Sequence, residues 1–441
     1  MTARDSPVSE FEALEPNALT EPTSTPPARW VAALTLVNLG IMSGWFGPIQ
    51  VLLAEQAKAV SPDHKETVLS LVLGVGAFVS TVSNPVFGAF SDRTTLRMGR
   101  RLPWIVGGSL GGALSLAVLS TAHSVPLMLL GWCGVQLTLN AAYAAVTASV
   151  PDQVPARRRG LVGGLLAIAQ TVGVVAGVGI AGATGSIAAG YLVTAGVLLA
   201  LTVPYALGSR DLALPASYRP EPLRLGSFLT SFWISPREHP DFAWAWITRF
   251  LVNLGNNIGT LYLLYYVTDG LGVSDEDGAG RVFVLTALYA GTLILTTAGF
   301  GYWSDRLGRR KVFVIWSGVV AGVASLILAG PQTWGWAMVA AVVLGSGYGI
   351  YTAVDFALIT QVLPAAEGRA KDLGVINIAN ALPQVLAPIV AGGILVVVRA
   401  SGGSVVTRGD SWSVGYGAVY LFGFLACIAG SVFVTRIKSV P

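Results

Sequence analysis

Residues Gly88 to Pro103 read Gly-Ala-Phe-Ser-Asp-Arg-Thr-Thr-Leu-Arg-Met-Gly-Arg-Arg-Leu-Pro, and a shortened copy, Gly-Tyr-Trp-Ser-Asp-Arg-Leu-Gly-Arg-Arg-Lys, returns at Gly301 to Lys311. Each copy follows a long apolar run ending in small residues and precedes another such run, so each is a short, strongly basic turn between two membrane-spanning helices. Glycine at a helix end lets another backbone come close. Four cationic side chains in so short a turn are very costly to carry across a bilayer, which puts both turns in the cytoplasm. The recurrence divides the chain into two related halves.

Composition points the same way. The chain is 53% hydrophobic and only 11% charged, with 53 glycines, a balance far from that of a soluble globular protein. The net charge of +4 reports orientation rather than an acidic partner, because the arginines sit in short loops, and no nucleic-acid motif is present. Cys133 and Cys427 lie inside apolar runs and read as small hydrophobic residues, not as a disulfide or a metal site.

Residues 1–28 carry five prolines, scattered acids and few large apolar groups, which reads as a disordered cytoplasmic tail. It lacks the basic start and short apolar core of a cleavable signal, so the first helix serves as its own insertion signal. Runs long enough to span the hydrocarbon core lie at about 30–54, 67–90, 103–122, 125–149, 160–182, 187–207, 242–268, 281–303, 312–330, 335–361, 373–398 and 414–435. The expected fold is therefore an all-α membrane protein of twelve transmembrane helices. With the basic turns inside, 21 Lys and Arg fall on the cytoplasmic side, five outside (Lys58, Lys65, Arg281, Arg399, Arg408) and one, Arg249, within a helix. That bias places both termini in the cytoplasm.

The expected domains are an N-terminal six-helix bundle at 29–207, a cytoplasmic linker at 208–241, a C-terminal six-helix bundle at 242–435 and a short cytoplasmic tail at 436–441. In the linker, Leu225, Phe228, Leu229, Phe232 and Trp233 fall at helical spacing. They form either an amphipathic helix on the inner membrane surface or an apolar loop packed under the bundle. Val37-Asn38-Leu39-Gly40 recurs as Val252-Asn253-Leu254-Gly255, and Tyr143, Val146, Gln153 and Val154 recur as Tyr351, Val354, Gln361 and Val362. The landmarks keep their order, so the halves are parallel repeats, a construction that places a binding site near the midplane between them.

The twice-present Gly-x-x-Ser-Asp-Arg…Gly-Arg-Arg loop on a twelve-helix repeat resembles the major facilitator superfamily, across essentially the whole chain after the tail. The longer first copy, with Pro85, Gly88, Ser91, Asp92, Arg93, Gly99, Arg100, Arg101, Pro103 and Trp104, is most similar to the sucrose/proton and the glycoside–pentoside–hexuronide cation symporters within it. The resemblance implies that this loop locks the outward-facing state, its aspartate meeting the end of a facing helix and its arginines holding neighbouring acids. Gly88, Asp92, Arg93, Arg100 and Arg101, and in the second copy Gly301, Asp305, Arg306, Arg309 and Arg310, then become gate residues. A purely topological role accounts for the arginines but not for Asp92 and Asp305. Two departures stand out. Relatives resembling the melibiose permease carry paired aspartates in helix 2 where this chain has Ser80 and Asn84, which argues against a sodium site. The sucrose/proton relatives carry an acid in helix 4, and here there is none.

In the family, helices 1, 4, 7 and 10 line the central cavity. Polar residues concentrate there: Asn38 and Gln50 in helix 1; Gln136, Asn140, Tyr143 and Thr147 in helix 4; Arg249, Asn253, Asn256, Asn257 and Tyr262 in helix 7; Tyr348, Tyr351 and Asp355 in helix 10. Helix 11 adds Asn377 and Asn380, and helix 5 adds Gln170. Polar groups inside a bilayer are costly. Amides interleaved with tyrosines suit a neutral, hydroxyl-rich ligand that stacks a ring face and bonds at its edges, while any single amide also serves as a helix-to-helix hydrogen bond. Arg249 and Asp355 are the opposite charges placed well inside spans, each about 10 Å from its helix centre toward the cytoplasm. They read either as a protonation switch, Asp355 staying ionised beside Arg249 and taking a proton when the pair separates, or as a fixed ion pair.

The function expected is secondary active transport of a small solute, a sugar or glycoside, across the cell membrane by alternating access, coupled to protons and carried out by a monomer in the lipid bilayer. The alternative is a drug or metabolite exporter of the same superfamily, although Val172 to Gly185 lacks the Gly-Pro pattern such exporters share. A receptor or scaffold has no large soluble domain to support it. His64, His123 and His239 lie near predicted helix ends or in loops, and no catalytic, metal or phosphate motif appears, so neither enzyme activity nor a cofactor is expected.

Overall fold

A bilayer offers no water to unpaired backbone groups, so a chain this apolar must satisfy its peptide groups within each spanning segment. The computed structural model describes residues 22–209, 211, 213–214, 237–307, 309–362, 369–403 and 414–438. Residues 1–21 of the expected tail and 215–236 of the expected linker, including its helically spaced apolar residues, lie outside the described residues. Among those described there are twelve long helices and no strand. The first half contains α1 (Ala28–Val60), α2 (Lys65–Asp92), α3 (Leu102–Ser120), α4 (Val125–Gln153), α5 (Ala156–Ala183) and α6 (Ile187–Gly208). The second contains α7 (Pro240–Leu261), α8 (Asp275–Leu307), α9 (Arg310–Ala329), α10 (Trp334–Val362), α11 (Arg369–Ala400) and α12 (Val414–Phe433).

Eleven of these helices are long and apolar enough to cross a membrane. The exception is α7. Its 22 residues reach about 33 Å, ample for a span, but Arg249, Asn253, Asn256 and Asn257 lower its apolar character. That helix can sit in a membrane only with those groups turned into the protein. Both first helices of the repeat are irregular at matching places: α1 contains a π-helical turn at Pro48–Leu52, while α7 breaks at Tyr262 and resumes through Leu263–Tyr265 and a π turn at Tyr266–Gly270. Such turns interrupt the regular backbone ladder and occur often at functional places.

The repeat read from the landmarks is present in the packing. In the first half α4 packs on α2 and α3, α6 on α3 and α1, and α5 on α1; in the second α10 packs on α8 and α9, α12 on α9 and α7, and α11 on α7. Glycine decides how close α1 and α5 come. A Cβ on Gly47 would stand 2.7 Å from the carbonyl oxygen of Gly177, one on Gly177 would stand 2.7 Å from that of Ser43, and one on Gly173 would stand 2.7 Å from that of Leu39. The backbones therefore touch directly, which in lipid replaces the missing hydrophobic drive for helix association.

The halves meet along two seams, α2 with α11 and α5 with α8, which exchange when the halves exchange. We name the ends carrying the basic turns the basic-turn side and the opposite ends the far side. Close approach is concentrated on the far side. A Cβ on Gly74 would lie 3.4 Å from Ile389, one on Gly392 2.7 Å from Ser70 Oγ, and one on Gly179 3.1 Å from Phe283. Nearer the basic-turn side, Gly88, Gly163, Gly164 and Gly299 have nothing within 4 Å of such a Cβ. Among the described residues, the close glycine contacts between the halves lie on the far side.

These contrasts order two substitutions. Gly177→Leu forces α1 off α5 and is expected to cost about 1–3 kcal/mol, the usual penalty of overpacking. Gly88→Ala meets open space and leaves stability unchanged. Thermal aggregation of the two purified variants in detergent, read against the parent, gives the comparison; equal losses would contradict the backbone contact at Gly177.

Candidate functional site

On α10, Tyr348, Tyr351 and Asp355 follow one another at intervals of three and four, and on α7 Arg249, Asn253, Asn256 and Asn257 do the same, so each set forms a stripe along its helix. The structure turns the two stripes together. Arg249 Nη1 meets Asp355 Oδ2, and Arg249 Nε donates to Asn380 Oδ1 on α11 at 2.7 Å. The same Asn380 oxygen accepts from Asn253 Nδ2 at 3.1 Å, and Asn253 Oδ1 accepts from the Tyr348 hydroxyl at 2.9 Å. Tyr348 stacks on Tyr351 with ring centroids 5.8 Å apart. A chain of polar contacts thus joins α7, α10 and α11. One turn farther along, the Tyr289 hydroxyl donates to Asn256 Oδ1 at 3.2 Å, and Asn257 Nδ2 donates back to the Asn253 carbonyl at 2.7 Å.

The first half carries a polar cluster of its own, without charge and with different partners. Asn140 Nδ2 donates to Ser80 Oγ at 2.9 Å and to the Gln136 carbonyl at 2.7 Å, and its Oδ1 accepts from Asn84 at 3.4 Å. Gln170 Nε2 donates to the Tyr143 hydroxyl at 3.1 Å, and the Tyr143 ring meets Trp45 edge-on at 5.6 Å. Gln50 lies in the π turn of α1, buried, its Oε1 without a hydrogen-bond partner. Asn38 does something different: it is buried and donates to the Leu166 carbonyl at 2.9 Å, tying α1 to α5. Its repeat partner Asn253 ties α7 to α11 through a side chain instead. Tyr262 stands apart from both clusters, its hydroxyl against Ser70 Oγ in the far-side seam.

The first basic turn closes on itself. Arg101, 3% exposed, reaches Asp92 Oδ1 at 2.6 Å, Ser91 Oγ at 2.8 Å and Asp152 Oδ2 at 2.7 Å, and Arg100 forks onto both oxygens of Asp152. Burial works against the Arg101 charge, but its bond to Asp152 and the nearness of Asp152 and Asp92 outweigh it and hold the guanidinium above its ordinary pKa. Asp211, just past α6, accepts from the backbone N–H of Leu102 at 2.8 Å and so caps the start of α3. Gly99 is required here twice over: its φ is +103°, and a Cβ would strike Asp211. Asp92 itself is 58% exposed, and Arg93 Nη1 donates to the Ala89 carbonyl at 3.0 Å. In the second copy Arg306 and Arg309 are exposed and Arg310 half-buried. The side chains of Gly301, Asp305 and Asn377 lie outside the described residues.

On the far side the seams are held by charge. Lys65 Nζ reaches Asp269 at 2.6 Å and lies over the Tyr265 ring at 4.7 Å, while the adjacent Glu66, 2% exposed, accepts from Arg399 at 2.8 Å. The Tyr265 hydroxyl donates to the Ala54 carbonyl at 2.8 Å, and an exposed pair joins Lys58 to Asp275 at 2.6 Å.

The family model for the Major Facilitator Superfamily matches residues 31–298 and 279–441. This chain belongs to that superfamily. Among solved structures it is similar to the nucleoside transporter NupG, with a TM-score of 0.69 and 12% identity over 92% of this chain and 98% of that one. It is also similar to an inward-facing, unoccupied bacterial homologue of the human lysosomal transporter Spinster, with a TM-score of 0.60 and 15% identity over 94% and 96% of the two chains. A stretch of 43 residues is 46% identical to an uncharacterized symporter from Synechocystis sp., covering 10% of this chain and 8% of that protein.

As a major facilitator transporter the chain shows site residues that its sequence left unmarked. Asp152 is the acid that both turn arginines hold, and its only sequence signal was its place beside the repeat landmark Gln153. Asp211 had no signal at all. Lys65 and Arg399 counted only toward orientation, and Asp269 and Glu66 not at all, yet the four bridge the halves. Removing Asp152 as Asp152→Ala leaves two nearly buried guanidinium groups without their main acceptor and is expected to cost about 3 kcal/mol. Lys58→Ala breaks an exposed pair and costs less than about 1 kcal/mol. Thermal unfolding in detergent orders the two, and amide exchange in residues 93–101 rises only in the first.

Proposed function

We propose that this transporter moves a neutral, hydroxyl-rich solute, a sugar or glycoside, across the cell membrane in symport with protons, with both termini and the basic turns in the cytoplasm and the far side outside. The observation that carries the substrate class is a polar cluster of amides and tyrosine in each half, with the Arg249–Asp355 ion pair in the second. Amides offer donors and acceptors to hydroxyls, tyrosine faces offer stacking to the apolar side of a sugar ring, and nothing in the first-half cluster offers charge. A nucleoside is itself a glycoside, so the likeness to a nucleoside transporter falls within the same class. Asn140, Gln136, Tyr143 and Gln50 in the first half and Asn253, Asn256, Asn257, Tyr351 and Asn377 in the second are the proposed binding residues, while Asn380 holds Arg249. Asn38 serves packing and Tyr262 the far-side seal.

The Arg249–Asp355 pair is the proposed coupling site. A carboxylate that leaves its guanidinium inside a membrane protein cannot stay charged cheaply, and uptake of a proton removes that cost. Ser80 and Asn84 supply no carboxylate for sodium, which favours a proton. The basic turns, Gly88, Asp92, Arg93, Arg100 and Arg101 with Gly301, Asp305, Arg306, Arg309 and Arg310, are proposed to close the cytoplasmic side in the opposite state.

Proteoliposomes loaded with the purified protein test this. Sugars, glucosides and nucleosides are screened for accumulation under an inward proton gradient, with drugs as the contrasting set. Accumulation of a hydroxylated solute that collapses with a protonophore is expected, and Asp355→Asn should abolish the gradient dependence while solute exchange at equal pH persists. Gradient-driven accumulation undiminished in Asp355→Asn would overturn the coupling site, and drug efflux without any sugar response would replace the importer with an exporter.

A further inference from the structure

An arginine inside a membrane protein that loses its only carboxylate becomes a bare buried charge, which breaks the site rather than switching it. Arg249 does not have only one acceptor. Its Nε donates to Asn380 Oδ1 at 2.7 Å while Nη1 meets Asp355, so a neutral acceptor from a different helix holds the guanidinium on its other edge. Asn380 is held in turn, because Asn253 Nδ2 donates to the same oxygen at 3.1 Å. The titratable groups facing the pair are Tyr348 and Tyr351 on its own helix α10, with Tyr289 of α8 beside Tyr348. From α11 the described contact is Asn380 alone.

The helix that supplies Asn380 is also a seam helix. Nine to nineteen residues further along α11, Ile389 approaches Gly74, Gly392 faces Ser70, and Arg399 donates to Glu66 at 2.8 Å, all in the other half. Pro383 and Pro388 lie between Asn380 and those contacts. Each removes a backbone donor from the helix ladder and lets the two stretches of α11 shift against each other.

We infer that Asn380 is a positioning residue for proton coupling: it keeps Arg249 in place when Asp355 releases it, and it ties that charge to the helix that seals the far side. The inference rests on the proposed coupling site and adds a residue and a route to it. Asn380 acts through Arg249 and exchanges no proton.

The test compares Asn380→Ala and the isosteric Asn380→Asp with the parent and with Asp355→Asn, each reconstituted and checked for a single monodisperse elution peak. The readout is the pH profile of solute uptake and the ratio of gradient-driven accumulation to exchange at equal pH. In Asn380→Ala the ratio is expected to fall about tenfold, the size of one lost hydrogen bond to a charged group, and the pH profile to flatten. In Asn380→Asp, which offers Arg249 a second carboxylate without changing volume, the profile moves by about one pH unit. Should Asn380→Ala fail to fold, Asn380→Asp decides alone. Profiles of the folded variants that overlay the parent, while Asp355→Asn uncouples, overturn the role of Asn380 and leave the coupling site standing. Full gradient-driven accumulation in Asp355→Asn removes the coupling site itself.

Discussion

A guanidinium within a bilayer must bring its own surroundings, since neither lipid nor backbone of its own helix can accept five N–H donors. Arg249 meets that demand with a carboxylate from α10 and an amide oxygen from α11. Three helices are thereby fixed in register at one level of the second half. Asn253 and Tyr348 extend the contact by one more turn. The polar character that keeps α7 out of the class of simple apolar spans is the same character that gathers α10 and α11 around it.

The two halves share a plan but not a chemistry. Equivalent helices pack in equivalent pairs, and the first helix of each half carries an irregular turn at a matching place. Where the second half joins its helices through an ion pair, the first half joins α2 and α4 through Ser80, Asn84 and Asn140. The second-half cluster thus contains an ion pair, while the first-half cluster around Asn140 is built of neutral donors and acceptors. At the surfaces the pattern differs again. Acid and base on the far side pair across the seams, through Lys65 with Asp269 and Glu66 with Arg399, whereas on the basic-turn side Arg100 and Arg101 pair within their own half.

Much of this was legible because it follows from short-range rules. Apolar length marks the spans, and each predicted segment overlaps the helix observed, with ends displaced by up to seven residues, the largest where α7 breaks at Tyr262. Arg249 and Asp355 stood out because intramembrane charges are rare, and the concentration of polar residues on α7 and α10 was visible. Partner choice was not legible. Asn38 and Asn253 occupy the same place in the repeat, yet one reaches a backbone carbonyl and the other a side chain, because α5 comes close through its glycines and α11 presents Asn380. Tyr262 looked like its neighbours on α7, but the helix breaks there and sends the ring to the far-side seam.

The sequence by itself determined that the chain is a twice-repeated set of membrane helices linked by basic turns, since hydrophobic length, loop charge and repeated landmarks are properties of residues near one another in the chain. Only the tertiary structure decided which acid the described arginines meet, where the far-side seams touch, and that Asn380 shares Arg249 with Asp355. Those outcomes depend on the rotation and closeness of helices that are distant in the chain, which backbone contact at a few glycines and the need to pair buried charge settle together.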